Sequence, residues 1–432
     1  MLRNPLSAIV AVFLIAMNVH AQTLSSRERK LVQSVDAQTG EEIAAFEKVI
    51  NIDSGTFNTA GVREVGRYFQ QELDALGFKT RWISMPDEMH RAGHLLAEHV
   101  AENRSENRVL LIGHLDTVFE GQGHRIERSG DTVHGAGVMD MKGGDVVILY
   151  ALKALRSAGA LDHATVRVFL TGDEENPGSP TSISRRDIVD AARQSDVAFS
   201  FEPQLTQGKV RISRRGLSTW SLEVTGEQGH SAFVLHQGGA GAIYETARIL
   251  NAFETTYATH PSITINPGLI LGGTDVAYDG QHSSGTSAGK FNVVARSATV
   301  KGDLRFLSEA DREDAKAKLR EIAATNLPKT SAQITFDDLV PGWPVMDRNM
   351  TILRIIDAVS RDLGRGPIEM ADPVAGGFGD FNFIASTVRG ADSLGVLGQG
   401  LHSPEEMMDL KSLGQATARA AVLIDRLLHQ QP

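Results

Sequence analysis

Cysteine is absent from all 432 residues. That excludes disulfides, iron–sulfur clusters, thiolate metal sites, cysteine nucleophiles and cysteine-linked lipid anchors. Basic blocks and basic–aromatic stripes are missing too, and the formal charge is −10. The chain therefore lacks the electrostatic footprint of a nucleic-acid binder. After residue 21 no stretch approaches about 18 consecutive apolar residues, so nothing later reads as a membrane-spanning helix. The 42 glycines follow no three-residue period, which excludes a collagen-like rod. What is there, 41% hydrophobic and 22% charged residues, is the balance of a folded globular protein.

The first residues read as an address. Arg3 supplies a positive start, residues 6–17 are uncharged and mostly apolar, and Val19-His20-Ala21 fits a small-residue cleavage site. This pattern predicts a secretory signal over 1–21, cut after Ala21. The apolar run is short for a membrane span. The expected mature protein is periplasmic or secreted, with no stable span once the signal is removed.

The body alternates strands and helices. Residues 40–50, 62–76 and 142–157 read as amphipathic helices, the last with Ile148, Ala151, Leu152 and Leu155 on one face. Apolar, β-branched runs at 80–85, 109–112, 165–170 and 197–201 read as strands. Such alternation predicts an α/β fold with a mainly parallel sheet between helices. Between 214 and 340 the order becomes β-α-β-β-α-β, with strands near 217–224, 263–271, 298–306 and 332–336 and helices at 241–258 and after Ser308. That is a ferredoxin-like α+β unit. The expected organisation is a larger domain in two parts, 22–213 and 341–432, with a smaller domain inserted at 214–340.

Ligands of open α/β sheets bind beyond the carboxyl ends of the strands. Five segments place histidine or acid there: Gly113-His114-Leu115-Asp116, Gly137-Val138-Met139-Asp140, Gly172-Asp173-Glu174-Glu175, Phe201-Glu202-Pro203 and Gly400-Leu401-His402. Each alone is an ordinary turn. Together they form an N/O ligand set that suits Zn²⁺, and that Co²⁺ or Mn²⁺ also accepts. The set is too large for one tetrahedral ion, whereas a bridging carboxylate and two ions would use it all.

These ordered motifs resemble the M20 family of di-zinc metallopeptidases, most closely its glutamate carboxypeptidase branch, over nearly the whole chain after the signal. The resemblance implies a zinc-exopeptidase-like catalytic domain with an inserted lid and dimerisation domain. It implies two Zn²⁺ per subunit, with His114 and Glu202 on the first, Glu175 and His402 on the second, and Asp140 bridging. It implies Glu174 as general base and Asp116 as the partner that orients His114. The Asp140–Met141 peptide is expected to be cis. His230 is implied as the oxyanion donor, reaching a neighbouring subunit's site. Asn292, Arg305, Gly376 and Gly377 are implied as substrate contacts, and the partners as a small peptide or N-acyl amino acid and a second copy of the chain.

The activity so implied is hydrolysis of the amide to a C-terminal amino acid, with glutamate as one candidate, through a water shared by the ions. Aminoacylase- and desuccinylase-type deacylases of the same family share every metal residue, so only the pocket separates the readings. A periplasmic solute-binding protein is the reading from another class, but a binder has no use for Glu174 beside a full ligand set. Two positions depart from the family pattern. Gly379 stands where Ser or Thr is usual, and Trp343 where glutamate-specific relatives carry a basic residue. The second departure points to aromatic or apolar substrates.

Overall fold

The computed structural model describes residues 24–101, 107–121, 126–234, 239–280 and 282–429. The expected signal, residues 1–21, lies outside them.

The central sheet has six strands in the spatial order Lys79–Ile83, His94–His99, Thr165–Thr171, Arg108–His114, Val197–Ser200 and Arg389–Ala391. The last four are mutually parallel, and the first two add an antiparallel edge. The fold is thus mixed α/β with a mainly parallel sheet. Strands Arg108–His114 and Thr165–Thr171 are almost wholly buried, which explains their continuous apolar runs. Helices Ser26–Ile50, Lys142–Ser157 and Lys411–His429 pack together in one layer. The first of these begins at a capping box made by Ser25 and Glu28, so residues 40–50 are the end of a longer helix than the apolar pattern alone suggests.

A second sheet has four antiparallel strands in the order Thr264–Gly273, Ser297–Phe306, Gly216–Gly226 and Thr330–Val340. Helices Gly241–Tyr257 and Glu309–Ala324 pack on it. Ser308 and Asp311 close a capping box at the start of the second helix. A hairpin, Asp275–Asp279 with Ser284–Ala288, is added between strands; its strands are only five residues each, too short for a firm period. The two sheets have separate hydrophobic cores. One gathers Leu31 to Ile212 and Trp343 to Leu428, the other Trp220 to Ile334. Among the described residues no helix is long and apolar enough to cross a membrane.

One buried carboxyl tests the helical layer. Glu42, 1% exposed, receives the Thr417 hydroxyl at 2.5 Å between the first and last helices. Burial pushes it up to about 7, against the pull of that hydrogen bond. The folded state thus favours the protonated acid, and stability falls as pH rises from the unfolded value through about 7. Glu42→Gln should be near neutral at pH 5 and stabilise by roughly 2–3 kcal/mol at pH 8. Equal changes in thermal midpoint at both pH values would refute this.

Candidate dinuclear metal centre

Parallel neighbours bring their carboxyl ends to one edge of the sheet. His114 ends one central strand, Glu174 and Glu175 follow the end of the next at Thr171, and Glu202 follows the end of Val197–Ser200. Asp140 lies just before helix Lys142–Ser157, and the Asp140–Met141 peptide that follows it is cis. His402 comes from the turn between Gly398–Gln399 and Met407–Asp409, two strands of a small antiparallel sheet.

Asp140 joins the two sides. Its Oδ1 lies 3.1 Å from His114 Nε2, and its Oδ2 lies 3.0 Å from His402 Nε2. Glu202 approaches His114 Nε2 at 3.7 Å, and Glu175 approaches His402 Nε2 at 3.3 Å. Two groups able to hold an ion result, His114–Asp140–Glu202 and Asp140–Glu175–His402, with the aspartate common to both. His114 Nδ1 donates to the Asp116 backbone carbonyl at 3.0 Å, with the Asp116 carboxylate at 3.5 Å. That bond fixes the tautomer and leaves the Nε2 lone pair facing Asp140 and Glu202. The Asp116 carboxylate itself accepts the Thr56 hydroxyl and the backbone N–H groups of Glu174 and Glu175, at 2.7, 3.0 and 3.2 Å. It therefore holds the two glutamates as well as the histidine.

The charge pattern fits cations. Burial, reinforced by Asp140 and neighbouring acids, drives Glu174 and Glu202 far above the usual carboxylate range and Glu175 up to about 7. Asp140 is also desolvated, yet His114 and His402 hold it low. Hydrogen bonds to Asp140 and Glu175 raise His402 to about 10. Among the described residues, buried Glu175 Oε1 has no hydrogen-bond partner. Three carboxylates and two imidazoles at this spacing are a donor set that divalent ions stabilise, and such ions invert these protonation tendencies.

Around the cluster lies a frame that no local motif announces. Arg185, fully buried, sits 2.5 Å from Asp173 and 2.7 Å from Asp380. Asp380 also takes the Thr171 hydroxyl at 2.5 Å. His94 donates Nε2–H to the Ser184 carbonyl at 2.9 Å and accepts the Gly172 N–H at Nδ1. It is a structural histidine beneath the loop of Glu174. Arg214 pairs with Asp392 at 2.7 Å and donates to the Phe378 carbonyl at 2.7 Å. Arg211 donates to the Ala375 carbonyl at 2.6 Å. Gly376, at φ 102°, passes so close that a Cβ there would meet Arg211 at 2.7 Å, a position only glycine fills easily.

Among the described residues, His230, Asn292 and Arg305 form no hydrogen bond or ion pair with the acid cluster. His230 is exposed beside the second sheet, accepts the Ala232 N–H at 3.2 Å and pairs through its backbone with Val293. Asn292 is its neighbour, accepting the Ser231 N–H. Arg305 is engaged by Asp303 at 2.9 Å. Gly376 and Gly377 are exposed in the turn held by the two arginines. Trp343 corrects an expectation. It is fully buried and stacked on Phe381 with ring centres 4.2 Å apart, so it fills the core and gives no reason for an aromatic substrate. The segment after Glu175 carries a cis Ser179–Pro180 bond and a helical turn at Thr181–Ser184.

A candidate two-ion centre at the strand ends of an α/β sheet is the arrangement of a metallohydrolase fold, and sequence comparison supplies the family. The pattern of the peptidase family M20/M25/M40 matches residues 110–426, and the chain belongs to that family. It is 26% identical to carboxypeptidase G2 of Pseudomonas sp. (strain RS-16), over 98% of this chain and 97% of that one. It is 24% identical to a succinyl-diaminopimelate desuccinylase of Psychrobacter sp. (strain PRwf-1), over 88% of this chain and 92% of that one. Its fold is similar to that of aminopeptidase PepT from Bacillus cereus ATCC 10987, with TM-score 0.69 and 16% identity over 90% of this chain and 98% of that one. A similar fold occurs in the Bacillus subtilis YXEP protein, described as a dinuclear metal-binding M20 peptidase, with TM-score 0.64 and 14% identity over 92% and 100% of the two chains. The protein is a hydrolase of peptide or amide bonds.

The buried arginine frame yields a stability prediction. Arg185→Met leaves Asp173 and Asp380 without their shared cation. It should cost about 3–5 kcal/mol, the usual penalty for breaking a buried pair. Denaturant titration measures it; a loss below about 1 kcal/mol, typical of exposed pairs, would show that the frame carries no such weight.

Proposed function

We propose that this protein is an exported, zinc-dependent exopeptidase that hydrolyses the amide bond to a C-terminal amino acid with a free α-carboxylate. The observation that carries the reading is Glu174. It is a buried carboxyl beside a complete double ligand set, held through its backbone by Asp116 and taking no part in either metal group.

His114, Asp140 and Glu202 would hold one ion, and Asp140, Glu175 and His402 the other. Bound there, the ions supply Lewis-acid polarisation of the substrate carbonyl and acidify water to near neutrality. The chain's own groups do the rest. Glu174 takes the proton of the attacking water at its carboxylate and delivers it to the leaving amine nitrogen. Asp116 keeps Glu174 and Glu175 in different tasks by fixing both backbones. The 214–340 unit serves as lid, and His230 donates to the carbonyl oxygen as negative charge develops there. Since His230 lies apart from the acid cluster within one chain, this role requires lid closure or a second copy. Asn292 and Arg305 would meet the substrate from the lid. The Gly376–Gly377 turn would offer backbone N–H groups to the α-carboxylate.

Glutamate is one candidate for the released residue, in keeping with the likeness to carboxypeptidase G2. The likeness to desuccinylases supports a second reading, an N-acyl amino acid deacylase using the same centre.

The test is amine release from a panel of dipeptides and N-acyl amino acids, using mature protein supplied with Zn²⁺. Glu174→Gln should retain both ions and lose turnover by roughly 10²–10⁴-fold, the range lost with a positioned base. Turnover unchanged in that variant would overturn the role of Glu174, and no release by the native protein would overturn the enzyme reading. Preference for C-terminal Glu or Asp supports the carboxypeptidase branch, whereas preference for the acyl group supports the deacylase. The homodimer through the lid is tested by light scattering at micromolar concentration, where a monomer would count against it.

A further inference from the structure

Glu406 takes no part in the metal groups or the proton transfer, yet it is almost fully buried. Its Oε1 accepts the N–H of Met139 at 2.9 Å and of Asp140 at 3.3 Å, and its Oε2 accepts the N–H of Gly137 at 3.3 Å. The backbone adds to this grip. The Glu406 carbonyl accepts the Gly135 N–H at 3.2 Å, and the Glu406 N–H donates to Ser403 at 3.0 Å. Among the described residues no cation forms an ion pair with it. A buried carboxylate whose acceptors all go to main-chain donors of one loop is holding that loop in place, because such charge-assisted bonds are strong and costly to leave unmade.

Its place in the chain makes this consequential. Residues 399–405 include no buried residue, and Glu406 is the first after Gly398. Yet the turn carries His402, whose side chain is half exposed and whose backbone is left-handed at φ 58°. The core does not pack around this histidine. Its distance from Asp140 is set by how the turn is anchored, and the anchor binds the loop of Asp140 itself.

We infer that Glu406 is the positioning residue that locks the His402 turn to the Asp140 loop and so sets the geometry of the second metal position. The inference rests on the metal-centre reading above. It assigns Glu406 no contact with substrate.

Zinc affinity separates this role from plain structural support. The mature chain and its Glu406→Gln and Glu406→Ala variants, stripped by chelation, would be titrated with Zn²⁺ against a chromophoric chelator. The visible spectrum with Co²⁺ and the melting temperature of the metal-free protein would be recorded alongside. The native chain should take up two ions. Glu406→Ala should weaken the ion held by Asp140, Glu175 and His402 by about 10–100-fold, the scale seen when a partner that orients ligands is lost. It should weaken the His114–Asp140–Glu202 ion less and alter the Co²⁺ spectrum. Glu406→Gln keeps one acceptor oxygen and should fall between, which preserves the test if the alanine variant fails to fold.

Excess Zn²⁺ should restore turnover with KM unchanged. Native affinity for both ions and a native Co²⁺ spectrum in the glutamine variant, with only metal-free stability changed, would overturn the inference. A native chain that binds no pair of ions would overturn the metal-centre reading and the inference with it. The two failures are therefore distinct.

Discussion

The carboxylate of Asp140 faces one histidine with each oxygen, and the rest of the site is arranged around that constraint. One oxygen belongs to His114 at the end of a buried strand, the other to His402 on an exposed turn. A rigid element and a solvent-exposed turn are thereby brought to the same side chain. Neither can shift without disturbing the other, because the distance between the two carboxylate oxygens is set by covalent geometry.

Packing several acids this closely is unfavourable unless positive charge is placed among them. The chain answers part of that need itself. Two imidazoles face the acids, and buried guanidinium groups surround them: Arg185 between Asp173 and Asp380, and Arg214 against Asp392. The arginines keep their charge under all conditions in which the protein folds. They form a permanent electrostatic wall, whereas the inner carboxylates are left to interact with divalent ions.

Much of this was legible in the sequence, for a physical reason. Parallel strands announce themselves by continuous apolar runs, and the residues just beyond them must lie along one edge. His114, Glu174, Glu175 and Glu202 could be placed together without knowing any side-chain contact. Other parts were hidden because they depend on distant partners. Arg185 sits in an unremarkable polar stretch, and its value appears only when Asp380 folds back onto it. Trp343 looked like a pocket residue until its stacking on Phe381 placed it in the core. The strand His94–His99 and the small sheet bearing His402 are too short to carry a clear period. His230 and Asn292 show the opposite limit: a motif can point to a role, while the single chain keeps both beside the second sheet.

Arg214 and Trp343 exchange backbone hydrogen bonds in both directions, each at 2.9 Å. The chain thus leaves for the second sheet and returns from it at two antiparallel neighbours, whose Cα atoms in such a pair stand about 5.5 Å apart. Topologically, the whole insertion is one long loop whose ends are already tied. Its length adds little closure entropy to the parent fold, and a two-residue turn would span the gap left by its removal. The parent core can therefore be regarded as a continuous fold with an ornament at one hairpin, free to accept insertions of different size at that point without redrawing its own strand order.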